Sequence, residues 1–99
     1  MMKTVIDFSV FTETRSFGHI HGNFALNEIV KVDDYIELHL SPNHIEKLKI
    51  EHLTKETAST EAYRLIMLES LVVKDHKEFK VIGEFVENKY GLYCDDFTN

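Results

Sequence analysis

Several residue types that define whole classes of protein are scarce or missing in this 99-residue sequence: it has no tryptophan, one proline and one cysteine. The lone cysteine, Cys94, excludes an internal disulfide and is typical of proteins from reducing compartments. No stretch approaches the ~18 apolar residues of a membrane-spanning helix. Asp7 interrupts the apolar run near the start, so no secretory signal is expected. The sequence therefore predicts a soluble, cytoplasmic protein without a membrane partner.

Runs of basic residues are also missing, and so are the short motifs of common enzymes. Seventeen acidic residues against eleven basic ones give a net charge of −6, which opposes binding to a phosphate backbone. The chain has no glycine-rich phosphate loop, no H-E-x-x-H or C-x-x-C motif and no recognisable Ser-His-Asp arrangement. We therefore expect no nucleic-acid partner, no cofactor and no catalytic residue.

What the sequence does contain is alternation of apolar and polar residues. Thr4–Thr12 and Tyr35–Leu40 both alternate with a period of two, which is typical of half-buried strands. In the second of these segments the polar face carries Tyr35, Glu37 and His39. These segments indicate a mainly β protein.

The second half of the sequence leaves two structures open. Arg64–Leu68 is a nearly continuous apolar run, which favours a strand covered on both faces. The apolar spacing over Ala62–Val73 also fits a helix, with Thr57 or Ser59 as its N-cap. Thr54–Glu61 has no large apolar residue and predicts a surface loop.

The last quarter of the chain predicts a turn, a strand and a tail. Lys74–Glu78 is highly charged and predicts a turn. Phe79–Phe85 alternates and predicts a strand. Leu92–Asn99 is interpreted as a short tail, in which the adjacent acids Asp95 and Asp96 form a solvated turn.

The order of these elements resembles domain two of the translational GTPases, the small β-barrel of elongation factor Tu and its relatives. The segment EIVKVDDYIEL, residues 28–38, is similar to the family's G-I-I-K-V-G-D-x-V-x-L. KLKIEHLTKETASTEAYRLIMLESL is similar to its V-x-S-I-E…A…V-x-L-x-L passage, and VIGEFV to its closing G-x-V-L. The resemblance covers residues 4–86, although three family glycines are replaced by Asn23, Glu28 and Asp33.

This resemblance has implications for both the fold and the function. It implies that Arg64–Leu71 is strand and that the fold is a mainly β Greek-key barrel. The length of 99 residues predicts one domain, residues 1–99. The alternative is an α+β fold with one helix near residues 60–73. The family contacts transfer and ribosomal RNA, so the resemblance also implies a link to translation, but it implies no GTPase because the phosphate loop is missing.

His19 and His21 are the sharpest candidates for chemistry. Two imidazoles on one strand face can ligate one metal ion. Two ligands are too few for a closed tetrahedral site, and nothing nearby in sequence supplies the others, although His39 would do so if its strand paired with theirs. We therefore predict no stoichiometric metal and interpret the pair as exposed binding residues. The alternative is a small metal-dependent enzyme that uses His19 and His21.

The sequence predicts that the protein is a non-catalytic interaction module. Tyr35, Glu37 and His39 combine an aromatic, an acidic and a titratable group, as protein interfaces do. A strand edge beside them can pair with a partner or with a second copy of the chain. The net charge favours a basic or mixed partner surface. An RNA-contacting protein linked to translation remains an alternative, alongside the metal-dependent enzyme.

Overall fold

A computed structural model describes residues 3–26, 28–58 and 61–97. Within these residues the chain forms seven strands and one helix. In chain order they are β1 (Lys3–Phe11), β2 (Ser16–Asn23), β3 (Tyr35–Ser41), β4 (His44–Ala58), β5 (Glu61–Leu68), β6 (Leu71–Val72), α1 (His76–Tyr90) and β7 (Tyr93–Asp96).

The strands form one curled sheet around the helix. Its order is β3-β4-β5-β1-β2-β7, and β6 lies beside the far end of β1. β1 runs parallel to β5 and β6, whereas the other neighbours are antiparallel. The sheet curls into a half-barrel with α1 packed against it, and the mainly β, barrel-like fold that the sequence predicts is confirmed.

The core lies between the inner face of the sheet and α1. Alternate strand residues turn inward because successive side chains of a strand point to opposite faces. The core residues are Ile6, Phe8, Val10, Ile20, Ile36, Leu38, Leu40, Leu48, Ile50, Ile66, Leu68, Leu71, Val73, Phe79, Ile82, Val86 and Leu92. The other set of strand residues points away from α1, and we call this side of the sheet the open face.

The strand predicted for Phe79–Phe85 is wrong, because this segment lies inside α1. Phe79, Ile82 and Val86 are buried at spacings of three and four residues, which put them on one side of a helix. The Asp75 carboxylate caps the start of the helix by accepting from the Glu78 backbone N–H at 2.9 Å. Gly91 ends it in the left-handed conformation, with φ of 75°. The predicted turn at 74–78 therefore stops at Asp75.

Other boundaries also differ from the sequence prediction. The predicted strand at Arg64–Leu71 is confirmed as β5 and β6, so the alternative helix near residues 60–73 is wrong for the residues described there. The loop predicted at Thr54–Glu61 is wrong for the residues described there, because β4 continues to Ala58 and β5 begins at Glu61. The remaining residues of that loop, 59 and 60, which include the candidate N-cap Ser59, lie outside the described residues. The predicted tail after Leu92 contains the edge strand β7.

Candidate functional site

Tyr35, Glu37 and His39 share the outward-facing side of β3, as the sequence predicts. β3 lies at one end of the sheet, paired with β4. The His39 backbone N–H donates to the Tyr90 hydroxyl on α1 at 2.9 Å, so it points away from β4. Backbone groups along an antiparallel strand alternate in direction, so those of Tyr35 and Glu37 also point to the outer edge. Near its start, β3 therefore presents an edge open to another strand.

A groove of about 580 Å³ lies beside this part of the edge. The segment between β2 and β3 forms one wall, and β3 with its β4 neighbour forms the other. The groove is lined by Phe24, Ala25, Leu26, Glu28, Tyr35, Ile36, Glu37 and Lys47. Tyr35 is 57% exposed, so its ring is available to a ligand. The groove thus combines apolar and aromatic surface with charged groups.

Arg64 anchors the wall of the groove that is formed by the segment between β2 and β3. Its side chain is buried, and Nε donates to the Thr4 hydroxyl at 2.8 Å. Its two terminal nitrogens donate to the backbone carbonyls of Leu26 and Glu28 at 2.8 and 2.9 Å. A guanidinium carries five N–H donors in a rigid plane, so it fixes both carbonyls relative to β5. The groove wall is therefore anchored to the sheet.

The charge of the groove is predominantly acidic. Glu37 is the register partner of Lys47 across the β3–β4 pair, and both residues line the groove. Glu28 adds a second carboxylate to the lining. Together with the net charge of −6 of the chain, this lining favours a cationic ligand.

A second candidate site lies on the open face, at the other end of the sheet. His19 and His21 project from β2, and the neighbouring strand β7 brings Asp95 beside them. His21 Nε2 lies 2.9 Å from Asp95 Oδ2, and His19 Nε2 lies 3.5 Å from the same oxygen. The two imidazole rings stack with their centroids 4.6 Å apart. One carboxylate thus faces two histidines.

The backbone around this His–Asp cluster is closely packed. His19 is the register partner of Asp95, and Gly18 precedes it in β2. A Cβ at Gly18 would lie 1.8 Å from the Asp95 carbonyl oxygen, so only glycine permits this approach. The rings of Tyr93 and Phe97 stand beside those of His21 and His19, at centroid distances of 5.8 and 5.6 Å.

The inner face of the same strands has different surroundings. Cys94 lies against α1 at Gly83, and burial, with smaller contributions from Asp96, Asp95 and Glu87, raises the pKa of its thiol to about 11. This thiol is therefore a poor nucleophile at neutral pH. The Asp96 carboxylate lies 2.8 Å from Nε2 of His76, the first residue of α1.

The structure brings together only some of the residues that the sequence singles out. Tyr35 and Glu37 line the groove, whereas His39 is half-buried and its backbone bonds to α1. The idea that His39 completes a site with His19 and His21 is wrong, because β4, β5 and β1 separate β3 from β2. Sequence reasoning interpreted Asp95 as part of a turn. The alternation of Tyr93, Asp95 and Phe97 is the signal that would have indicated a strand face.

No protein-family model, no curated protein and no solved structure matches this chain. The resemblance to domain two of the translational GTPases therefore stays a prediction. Among the described residues, no helix is long and apolar enough to cross a membrane.

Proposed function

We propose that the protein is a non-catalytic interaction domain that binds an extended, basic segment of a partner protein along the open edge of β3. The observation that carries this proposal is the outward-pointing backbone of Tyr35 and Glu37 beside the groove. A segment added to such an edge gains main-chain hydrogen bonds, which supply affinity without regard to its sequence.

The groove would supply the specificity. Every second side chain of an added strand points to the same side, so alternate residues of the partner reach the groove. Phe24, Leu26 and Tyr35 offer apolar and aromatic contact to the side-chain stems, and the carboxylates of Glu28 and Glu37 attract lysine or arginine heads.

Long-range electrostatics support the same partner. A chain with a charge of −6 attracts a basic segment and repels a second copy of itself. Exposed charges are screened beyond a Debye length of roughly 8 Å at physiological ionic strength. We therefore expect association to be faster and tighter at low salt, and we expect the free protein to be monomeric.

A synthetic peptide of alternating lysine and valine, titrated by calorimetry at two salt concentrations, tests the proposal. Glu37→Pro removes one outward N–H from the middle of the edge but no hydrogen bond to β4, and edge strands tolerate proline. We expect this variant to fold and to lose peptide binding. The double variant Glu28→Gln, Glu37→Gln should weaken binding, whereas the control Glu51→Gln, an exposed position outside the groove, should not.

Two outcomes would contradict this function. Equal peptide binding by the wild type and by Glu37→Pro would show that the edge is not used. A dimer in analytical ultracentrifugation that Glu37→Pro abolishes would make a second copy, and not a basic partner, the occupant of the edge.

The translation-linked alternative has its own measurement. We expect no gel shift with transfer or ribosomal RNA at about 150 mM salt, because a net negative chain gains little from counterion release. Micromolar binding that weakens steeply with added salt would revive the RNA-contacting function implied by the resemblance.

A further inference from the structure

We infer that His19, His21 and Asp95 form a binding site for one divalent transition-metal ion, of which Zn²⁺ is the type case. This inference is independent of the proposed function, because the site lies on β2 and β7 and the groove lies along β3. Two imidazole nitrogens and one carboxylate oxygen are a ligand set that zinc, cobalt, nickel and iron all accept.

The spacing of the three ligand atoms suits such an ion. Zn²⁺ binds nitrogen and carboxylate oxygen at roughly 2.0–2.2 Å, which puts two tetrahedral ligand atoms about 3.3 Å apart. Asp95 Oδ2 lies 2.9 Å from one histidine Nε2 and 3.5 Å from the other. All three ligand atoms lie within 4.8 Å of one another. Small side-chain rotations are enough to place an ion between them.

The number of histidines separates this cluster from ordinary surface contacts. His44 faces Glu46 at 3.3 Å and His76 faces Asp96 at 2.8 Å, but each of those carboxylates is paired with one histidine. At Asp95 two imidazoles present Nε2 to a single oxygen. One carboxylate oxygen can accept from both rings, but only an ion with three or more coordination positions bonds to all three groups at once.

The backbone supplies the preorganisation that a metal site needs. The β2–β7 pairing fixes His19 opposite Asp95, and the close approach at Gly18 holds the two strands together. The rings of Phe97 and Tyr93 stand beside those of His19 and His21, at centroid distances of 5.6 and 5.8 Å. The side chains of His19 and His21 are 28% and 33% exposed, so an ion can reach them from solvent.

This inference replaces the sequence-based expectation of no metal. That expectation rested on the lack of a third ligand near the histidines in sequence, whereas Asp95 lies 74 positions beyond His21. Three protein ligands leave at least one coordination position for water or an added ligand, as in open zinc sites.

Calorimetric titration of the chelator-treated, metal-free protein with Zn²⁺ tests the site. We expect one equivalent to bind to the wild type, and binding to fall by at least about tenfold in Asp95→Asn and further in the double variant His19→Gln, His21→Gln. The matched control is the double variant His44→Gln, His52→Gln, which removes two exposed histidines elsewhere and should bind like the wild type.

A second measurement needs no variant and so does not depend on whether a substitution folds. Zn²⁺ added to the wild type should shift the ring-proton NMR signals of His19 and His21 and leave those of His44 and His52 unchanged. Absence of Zn²⁺ binding by the wild type at about 100 µM ion, far above the dissociation constants of structural zinc sites, would overturn the inference. Ring shifts confined to other histidines, or full binding by the His19→Gln, His21→Gln variant, would overturn it as well.

Discussion

Asp95 and Asp96 are adjacent in sequence, yet they lie on opposite faces of β7 and meet different partners. On the open face Asp95 is 52% exposed and faces both His19 and His21. On the inner face Asp96 is 20% exposed and pairs with His76, where α1 begins. Strand alternation alone produces this difference, since neighbouring side chains point to opposite sides. The inner pair joins the helix to the sheet, whereas the open cluster is accessible to an ion.

The first prediction concerns the close backbone approach of β2 to β7 at Gly18, which positions the residues on both faces of β7. Gly18→Ala would place a Cβ 1.8 Å from the Asp95 carbonyl oxygen, which forces β7 away from β2. We expect a loss of about 3 kcal/mol in the free energy of unfolding and loss of Zn²⁺ binding. Urea unfolding and calorimetry measure the two effects.

A matched glycine separates the steric effect of Gly18→Ala from backbone strain. Gly91 has a φ of 75° but no atom within 4 Å of an added Cβ. Gly91→Ala should therefore cost only about 1 kcal/mol and leave Zn²⁺ binding unchanged. Equal losses in the two alanine variants would contradict the steric explanation.

The second prediction disturbs the inner face alone. A Cβ at Gly83 would lie 2.7 Å from the Cys94 sulfur, so Gly83→Ala overpacks the contact between α1 and β7. The better helix propensity of alanine offsets part of this cost, and we expect a net destabilisation of about 1–2 kcal/mol.

Cys94→Ala removes the atom that causes this clash. In a double-mutant cycle measured by urea unfolding, Gly83→Ala should cost much less in the Cys94→Ala background than in the wild type. Additive effects would show that the overpacking does not involve Cys94.

The third prediction compares the two carboxylates directly. Asp95→Asn removes an anionic metal ligand and should weaken Zn²⁺ binding about tenfold, which corresponds to roughly 1.4 kcal/mol. Asp96→Asn changes the pair with His76 and should alter stability more than metal affinity. The same calorimetric titration applied to both variants would contradict the comparison if Asp96→Asn had the larger effect on affinity.

The smallest expected effect on Zn²⁺ affinity concerns a neighbouring charge on the open face. Asp7 is the register partner of His21 across the β1–β2 pair, so its side chain lies on the open face beside the cluster. Asp7→Asn removes one charge near the ion, and we expect affinity to fall about threefold at low salt and less at high salt. Glu51→Gln, an exposed position on β4, is the control and should have no effect. A salt-independent loss would mean that Asp7 acts through structure and not through charge.

Local alternation was enough to predict several strands from the sequence. β1 and β3 each have one apolar face, and their burial patterns match the predicted alternation. The outward-facing positions of Tyr35 and Glu37 could be predicted for the same reason, since they lie on the polar face of β3.

The helix was missed because two periodicities overlap in its sequence. Phe79, Val81 and Phe85 match a strand, and Val81 is in fact 54% exposed. Phe79, Ile82 and Val86 match a helix equally well, and the capping residues Asp75 and Gly91 favour it. Asp95 was missed for a different reason. The alternation of Tyr93, Asp95 and Phe97 indicates a strand face, but the pairing of this strand with the distant β2 leaves no mark in either local sequence.

The position of β1 in the sheet has a consequence for how fast the protein folds. Thr4 in β1 lies beside Arg64 in β5, 60 positions away along the chain, in a parallel pairing. The β1–β2 and β4–β5 hairpins need only short loops and can form within microseconds, whereas joining them through β1 and β5 requires closure of a long loop. We expect this joining to be the rate-limiting step, so that refolding takes milliseconds to seconds, as in other proteins rich in non-local strand pairs.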